Sequence, residues 1–189
     1  MKKLTTTVLS LALAVAAVAG GNELKKSVMT VSPEQSTIEW HGEKVTGKHN
    51  GNVNVRQGNI ILGDDGMIQS AYVQVDMKTI TNDDIDDAET KAKLVGHLKS
   101  DDFFAVEKYP YAEINIKQFK PGEKDGTYIA NGNLTIKGES HPITFPFTMS
   151  KSGDEFTASG ELTFDRSKYN VRYGSDSFFD NLGDKVIYD

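Results

Sequence analysis

The chain has 189 residues, no cysteine, and a formal charge of −6 from 21 basic and 27 acidic residues. That balance argues against nucleic acid, whose affinity depends on Lys and Arg neutralising phosphates, and against electrostatic adhesion to anionic membrane surfaces. Without cysteine there is no disulfide framework, no thiolate metal site and no thiol to carry the acyl chains of a lipoprotein.

Lys2 and Lys3 open the chain, and Val8 to Ala19 is apolar apart from Ser10. Ala17-Val18-Ala19 then supplies the small-x-small pattern that signal peptidase accepts. The run is shorter than the roughly 20 apolar residues a membrane-spanning helix needs, and its flanks suit a cleaved secretory signal. We expect a signal peptide over residues 1–19, a cut near Ala19, and a periplasmic or secreted location. A buried N-terminal helix or a retained anchor is the competing reading. Removing Lys2 and Lys3 takes the formal charge from −6 to −8. Residues 20–30 read as a flexible leader and residues 31–189 as one domain.

From Thr37 onward the pattern is mostly period two, the signature of half-buried strands. Val45, Gly47, His49, Gly51, Val53 and Val55 share one parity. Ala71, Val73, Val75 and Met77 alternate with polar residues, as do Ala112, Ile114 and Ile116. Tyr128, Ala130, Gly132, Leu134 and Ile136 follow, then Ile143, Phe145, Phe147 and Met149, then Phe156, Ala158, Gly160, Leu162 and Phe164. The spacers 63–66, 121–126, 138–140 and 152–154 carry Gly, Asp and Ser, residues that favour chain reversal. Short linkers imply antiparallel neighbours, and seven or eight such strands imply a barrel or sandwich.

One segment departs from this. Across Asp83 to Lys99, Ala88, Lys91, Ala92, Val95 and Leu98 recur at helical spacing, with Asp83, Asp84, Asp86 and Asp87 crowding the start. A second short turn is expected from Ser100-Asp101 into Phe103-Phe104. Gly47, Gly51, Gly132 and Gly160 lie on otherwise inward parities and mark bends where a barrel curves. Eight strands leave room for packed side chains or for one small ligand, and periodicity alone does not choose.

Leu94-Val95-Gly96-His97-Leu98-Lys99-Ser100-Asp101-Asp102-Phe103-Phe104, followed by Val106-Glu107-Lys108-Tyr109-Pro110, strongly resembles the central motif of the YceI-like lipid-binding proteins. Ser36 to Trp40 with Gly47 to Gly51 resemble that family's opening strands, and Gly132 to Gly138 and Phe164 to Ser167 its later ones. The resemblance covers roughly Met29 to Asp189. It implies an all-β, lipocalin-like antiparallel eight-stranded barrel with a helical insertion capping one end. It also implies an exported protein that encloses a polyisoprenoid chain, such as a quinone tail, in an apolar tunnel.

Strand parity supplies the candidate tunnel residues. They are Trp40 and Val53, then Val73, Val75 and Met77, then Leu94, Phe103 and Phe104 on and after the helical segment. Ile114, Ile116, Leu134, Phe145, Phe147, Leu162 and Phe164 complete the set. His49, His97, Asp165 and Arg166 are read as structural groups or as polar groups at a mouth. An ion pair from Asp165 or Arg166 to the Ser100–Asp102 turn would pin the helix to the barrel. The histidines show no HxH or HExxH spacing and the aspartates no calcium-loop pattern, so no metal is expected. No GxSxG or dinucleotide fingerprint is present, and no cofactor is expected beyond a bound isoprenoid lipid or quinone. The partner is an apolar small molecule or lipid and not nucleic acid; the chain is not membrane-spanning, and a homodimer is a reasonable prior. The reading is a carrier and not an enzyme. The alternatives are an enzyme on an apolar substrate with His49 or His97 as base, or a filled structural or stress-response barrel.

Overall fold

The structure, a computed structural model, describes residues 7–17, 27–44, 47–64, 67–153 and 155–172. Expectations placed on 18–26, on Val45 and on the C-terminal 173–189 lie outside the described residues.

The fold is mostly β. Seven strands follow one another in a curled antiparallel sheet: β2 (Ser27–Lys44), β3 (Gly47–Leu62), β4 (Ile68–Asp76), β5 (Tyr111–Pro121), β6 (Thr127–Ile136), β7 (Glu139–Ser152) and β8 (Glu155–Phe164). Each pairs with the next, as short turns require. The Lys137–Gly138 turn between β6 and β7 has both residues at positive φ, 52° and 81°, the geometry whose twist matches a tight hairpin. The gap between β2 and β8 is bridged by the backbone of Thr7–Ala17, here β1. The segment whose composition reads as an export signal thus pairs as a strand in this chain.

Alternation drives the packing. Inward residues such as Val53, Val73, Ile114, Leu134, Ile143 and Leu162 are all under a tenth exposed and form one apolar core. Burying an aliphatic side chain of this size contributes about 1.5–3 kcal/mol, which is why register is firmly set. Two strands change phase partway. On β3 the buried set is Gly51, Val53 and Val55, then Gly58, Ile60 and Leu62, with a bulge between Val55 and Gln57. On β5 it is Ala112, Ile114 and Ile116, then Phe119 half-buried beyond a bulge between Ile116 and Gln118. Each bulge adds one residue and reverses which parity points inward.

Between β4 and β5 the chain makes a single 3-10 turn (Met77–Thr79) and one helix, α1 (Ala88–Lys99). The helix is shorter than its expected start at Asp83. Asp87 supplies the N-cap, accepting from the Thr90 N–H at 2.8 Å. Asp83 and Asp84 are drawn off to β3 instead, bonding Asn52, the Asn50 N–H and His49. Leu98 is buried and Leu94 packs against the core, so α1 is held to the sheet through its apolar side chains. The expected turn after it runs over residues 101–104.

Candidate functional site: an apolar cavity at one end

The two ends of the barrel differ in the size of their inward residues. Toward α1 the inward positions are filled by Val53, Val75, Leu134, Ile143 and Leu162. Toward the other end, where the β3–β4, β5–β6 and β7–β8 turns lie, the same strands place Ala71, Ala130, Ala158 and Gly160 inward. These small residues cannot fill the space between the walls, and a cavity of about 530 Å³, counted to its open mouth, lies there. Its lining is almost wholly apolar.

Ile60, Ile68, Val73, Ile114, Ile116, Phe119, Phe145 and Phe147 line the rest of the cavity, with Ser159 the one polar side chain. Phe119 meets Phe147 edge-on at 5.6 Å between centroids, and Tyr128 stacks on the same ring at 5.3 Å. Such contacts stabilise the wall beyond the area they bury. At the same end Val28 and Met67 are left 45% and 48% exposed.

Of the parity candidates, Val73, Ile114, Ile116, Phe145 and Phe147 line this cavity. Val53, Val75, Met77, Leu134 and Leu162 are buried in the packed half. Leu94, Phe103, Phe104 and Phe164 pack on that half as partly buried residues. Trp40 is there too, its ring N–H donating to the Thr81 carbonyl at 2.9 Å. The lining residues absent from that set have legible causes. Ala71, Ala130, Ala158 and Gly160 share the inward parity but are small, and a search for greasy side chains passes over them. Ile60 and Phe119 lie beyond the two bulges, where parity counted from upstream points outward.

The polar candidates gather at the α1 end, away from the cavity. His49 Nδ1 lies 2.8 Å from Asp84 Oδ2. The His97 ring meets Phe103 edge-on at 5.7 Å between centroids. Asp165 accepts from the Ser167 N–H at 2.9 Å and its hydroxyl at 2.7 Å, capping the 3-10 turn Arg166–Tyr169. Arg166 donates to the Val171 carbonyl at 2.9 Å and stands over the Phe103 ring at 5.3 Å. It therefore reaches the segment after α1 through a ring face. The turn itself is held by Lys137, whose ammonium donates to the Asp101 carbonyl at 3.0 Å and the Asn170 carbonyl at 3.2 Å. Burial, with the Asp165 carboxylate nearby, pushes the Tyr169 hydroxyl up to about 12.

A curled antiparallel β-sheet around an apolar cavity, open at the end remote from its helix, defines a barrel-like β protein. The YceI-like domain model matches residues 29–187, and the chain belongs to that family. The UPF0312 protein plu2095 of Photorhabdus laumondii is 30% identical over 90 residues, which cover 43% of this chain and 45% of the relative. The match thus spans under half the length of that relative. Among solved structures, Burkholderia cenocepacia BcnA superposes with a TM-score of 0.55 at 18% identity, over 97% of this chain and 89% of that one. A mutant YCEI protein of Campylobacter jejuni, crystallised with a monobromobimane guest, gives 0.51 at 20% identity over 71% and 78%. These likenesses show the fold. Among the described residues no helix is long and apolar enough to cross a membrane.

Proposed function

We propose that this protein binds a polyisoprenoid-type lipid, a quinone or polyprenol tail, and sequesters or carries it without chemical turnover. The observation that carries this reading is the cavity, which small residues on three strands open in an otherwise well-packed sheet. An isoprenoid chain offers methyl and methylene groups and almost no hydrogen-bonding capacity, and the wall asks for little else. Transfer of such a chain gains about 25 cal/mol for each Å² of apolar surface removed from water. The exposed Val28 and Met67 beside the mouth suit a cargo that arrives from an apolar environment.

The enzyme alternative needs a base within hydrogen-bond reach of the reacting atom. His49 is at the other end of β3 from Ile60 and is engaged by Asp84. The carrier reading accounts for the geometry with fewer requirements. In the mature chain we propose a lipocalin-like, eight-stranded barrel capped by α1, exported to the periplasm or secreted after a cut near Ala19.

Mass spectrometry of lipid extracted from protein purified without detergent from its own host tests the proposal. A stoichiometric prenyl-chain species supports it and names the cargo. An empty protein that also takes up no added quinone or polyprenol would move the weight to a filled structural barrel.

A further inference from the structure

β3 closes on the apolar run Ile60-Ile61-Leu62, and Met67-Ile68 lead into β4. Consecutive strand residues point to opposite faces, so an unbroken apolar run makes both faces apolar. Ile60 and Ile68 line the cavity. Ile61, between the buried Ile60 and Leu62, is half-buried on the outer face. Its cross-strand partner is Val28 on β2, which is exposed. Met67 is exposed across the β3–β4 turn, where the Gly63 N–H donates to the Met67 carbonyl at 2.8 Å. At this lip the inner wall and the outer face meet over an apolar rim.

Val28 and Met67 are two of the three large hydrophobic side chains left exposed among the described residues. The third, Tyr109, lies at the other end, its ring beside Gly138 of the β6–β7 turn. A single exposed hydrophobic is ordinary, whereas a group continuous with a cavity mouth marks a contact surface. The other hairpins of the open end are charged. Lys120, Glu123, Lys124 and Asp125 surround the β5–β6 turn and Lys151 and Glu155 the β7–β8 turn, all of them exposed. One lip of the mouth is apolar and the other two are wet.

The chemistry of that lip selects its partner. A stable protein partner takes about 800 Å² from each side, far more than Val28, Ile61 and Met67 present. A bilayer surface asks only that a few apolar side chains sink to the level of the acyl chains. From Gln57 to Met77 there is no Lys or Arg, and the turn carries Asp64, so an anionic leaflet has nothing to attract. The geometry points to a docking lip: the β3–β4 hairpin, with Val28 beside it, seats the open end of the barrel on a neutral, zwitterionic bilayer. Cargo then passes between bilayer and cavity without crossing water. This rests on reading the cavity as the site of a lipid cargo.

Stopped-flow transfer of a fluorescent prenyl-chain probe, from loaded protein purified from its own host to phosphatidylcholine vesicles, tests the lip. The rate is expected to rise with vesicle concentration, because the protein meets the bilayer before the probe leaves. Val28→Ser combined with Met67→Ser is expected to slow transfer about tenfold or more at a fixed vesicle concentration. Affinity for the probe without vesicles should stay unchanged, since neither side chain lines the cavity. Met67→Trp, which adds a ring suited to the bilayer interface, is expected to speed transfer. A rate that ignores vesicle concentration, or a double variant as fast as the parent, would overturn the proposal. Faster transfer to vesicles containing phosphatidylglycerol would overturn it too, by making the contact electrostatic. Flotation of the protein without probe on the phosphatidylcholine vesicles reads the lip by itself. A parent that takes up no probe, yet floats and loses flotation in the double variant, would sink the carrier reading and keep the docking lip.

Discussion

His49 Nδ1 stands 2.8 Å from Asp84 Oδ2, and this contact ties the β2–β3 hairpin to the loop leading into α1. The other Asp84 oxygen accepts from the Asn50 N–H at 2.9 Å and the Asn82 amide at 2.5 Å. Burial pushes this carboxyl up, but the Asn50 N–H, the His49 ring and the Asn82 amide together outweigh it and lower it from 3.8 to about 2. A carboxylate with a depressed folded value contributes stability above its unfolded value, and loses it as pH falls through the folded one. Asp84→Asn is therefore expected to cost about 1 kcal/mol near neutrality, discounted for solvent screening. The gap to the parent should close between about pH 4 and pH 2. Urea titrations across that window check this, and a gap that persists unchanged to pH 2 would assign the cost to lost packing.

A different constraint fixes the β5–β6 seam. A Cβ on Gly132 would collide with the Asn115 carbonyl oxygen and lie 2.7 Å from the Ile116 Cα, beside the β5 bulge. Backbone atoms on a paired strand cannot swing aside as a side chain can. Gly132→Ala is expected to lower stability by about 2 kcal/mol or more, whereas Gly47→Ala, with nothing within 4 Å, should stay within about 0.5 kcal/mol. Thermal melts of the two variants side by side test the contrast. Equal melting temperatures would show that the seam relaxes.

These positions also show where the sequence was legible. Period-two alternation along Val73 and Val75, or Ile143, Phe145 and Phe147, reports directly which face meets the core, because a slip of one residue would turn the whole set to water. The turn residues fall where the hairpins are, and Gly138 sits at the positive φ its turn requires. Three things were not legible. The bulges at Val55/Gln57 and Ile116/Gln118 insert one residue without a distinctive side chain, so Ile60 and Phe119 read as outward. The cavity arises from what Ala71, Ala130 and Ala158 lack, and an alanine on an inward parity looks the same whether a neighbour fills its space or not. Asp83 and Asp84 read as the first turn of a helix, because acidic residues belong there. Their actual partners, Asn52, Asn50 and His49, lie some thirty residues back in the chain.

Arg166 joins the end of the barrel to the segment after α1 through the face of the Phe103 ring. Its guanidinium stands 5.3 Å from the Phe103 ring centroid and donates to the Val171 carbonyl at 2.9 Å. Truncation to Ala loses a cation–π contact and a hydrogen bond, together about 1–2 kcal/mol. Arg166→Lys should recover only part of this, since a compact ammonium cannot cover the ring and reach the carbonyl together. Faster exchange of amides over Phe103 to Val106 should accompany the loss. Unchanged stability and unchanged ligand retention in Arg166→Ala would count against any role in holding that segment to the barrel.

The cavity makes a two-sided prediction, because its residues and the packed residues sit on the same strands. Ala71→Leu and Ala158→Leu each add bulk to the wall of the cavity. Either should weaken binding of a prenyl-chain probe about tenfold or more, equivalent to roughly 1.4 kcal/mol. Stability should hold or rise by up to about 1 kcal/mol, since filling a void adds contacts without straining a packed wall. Val75→Ala is the converse. Val75 is 4% exposed in the packed half, and its truncation should cost about 1–2 kcal/mol of stability while leaving probe affinity intact. Fluorescence titration with a polyprenyl quinone, paired with denaturant melts, separates the two effects. If the filled variants bind the probe as tightly as the parent, the chain of the lipid does not occupy this cavity. If Val75→Ala loses affinity as well, the site reaches into the α1 half, and the boundary between cavity and core must be drawn nearer the helix.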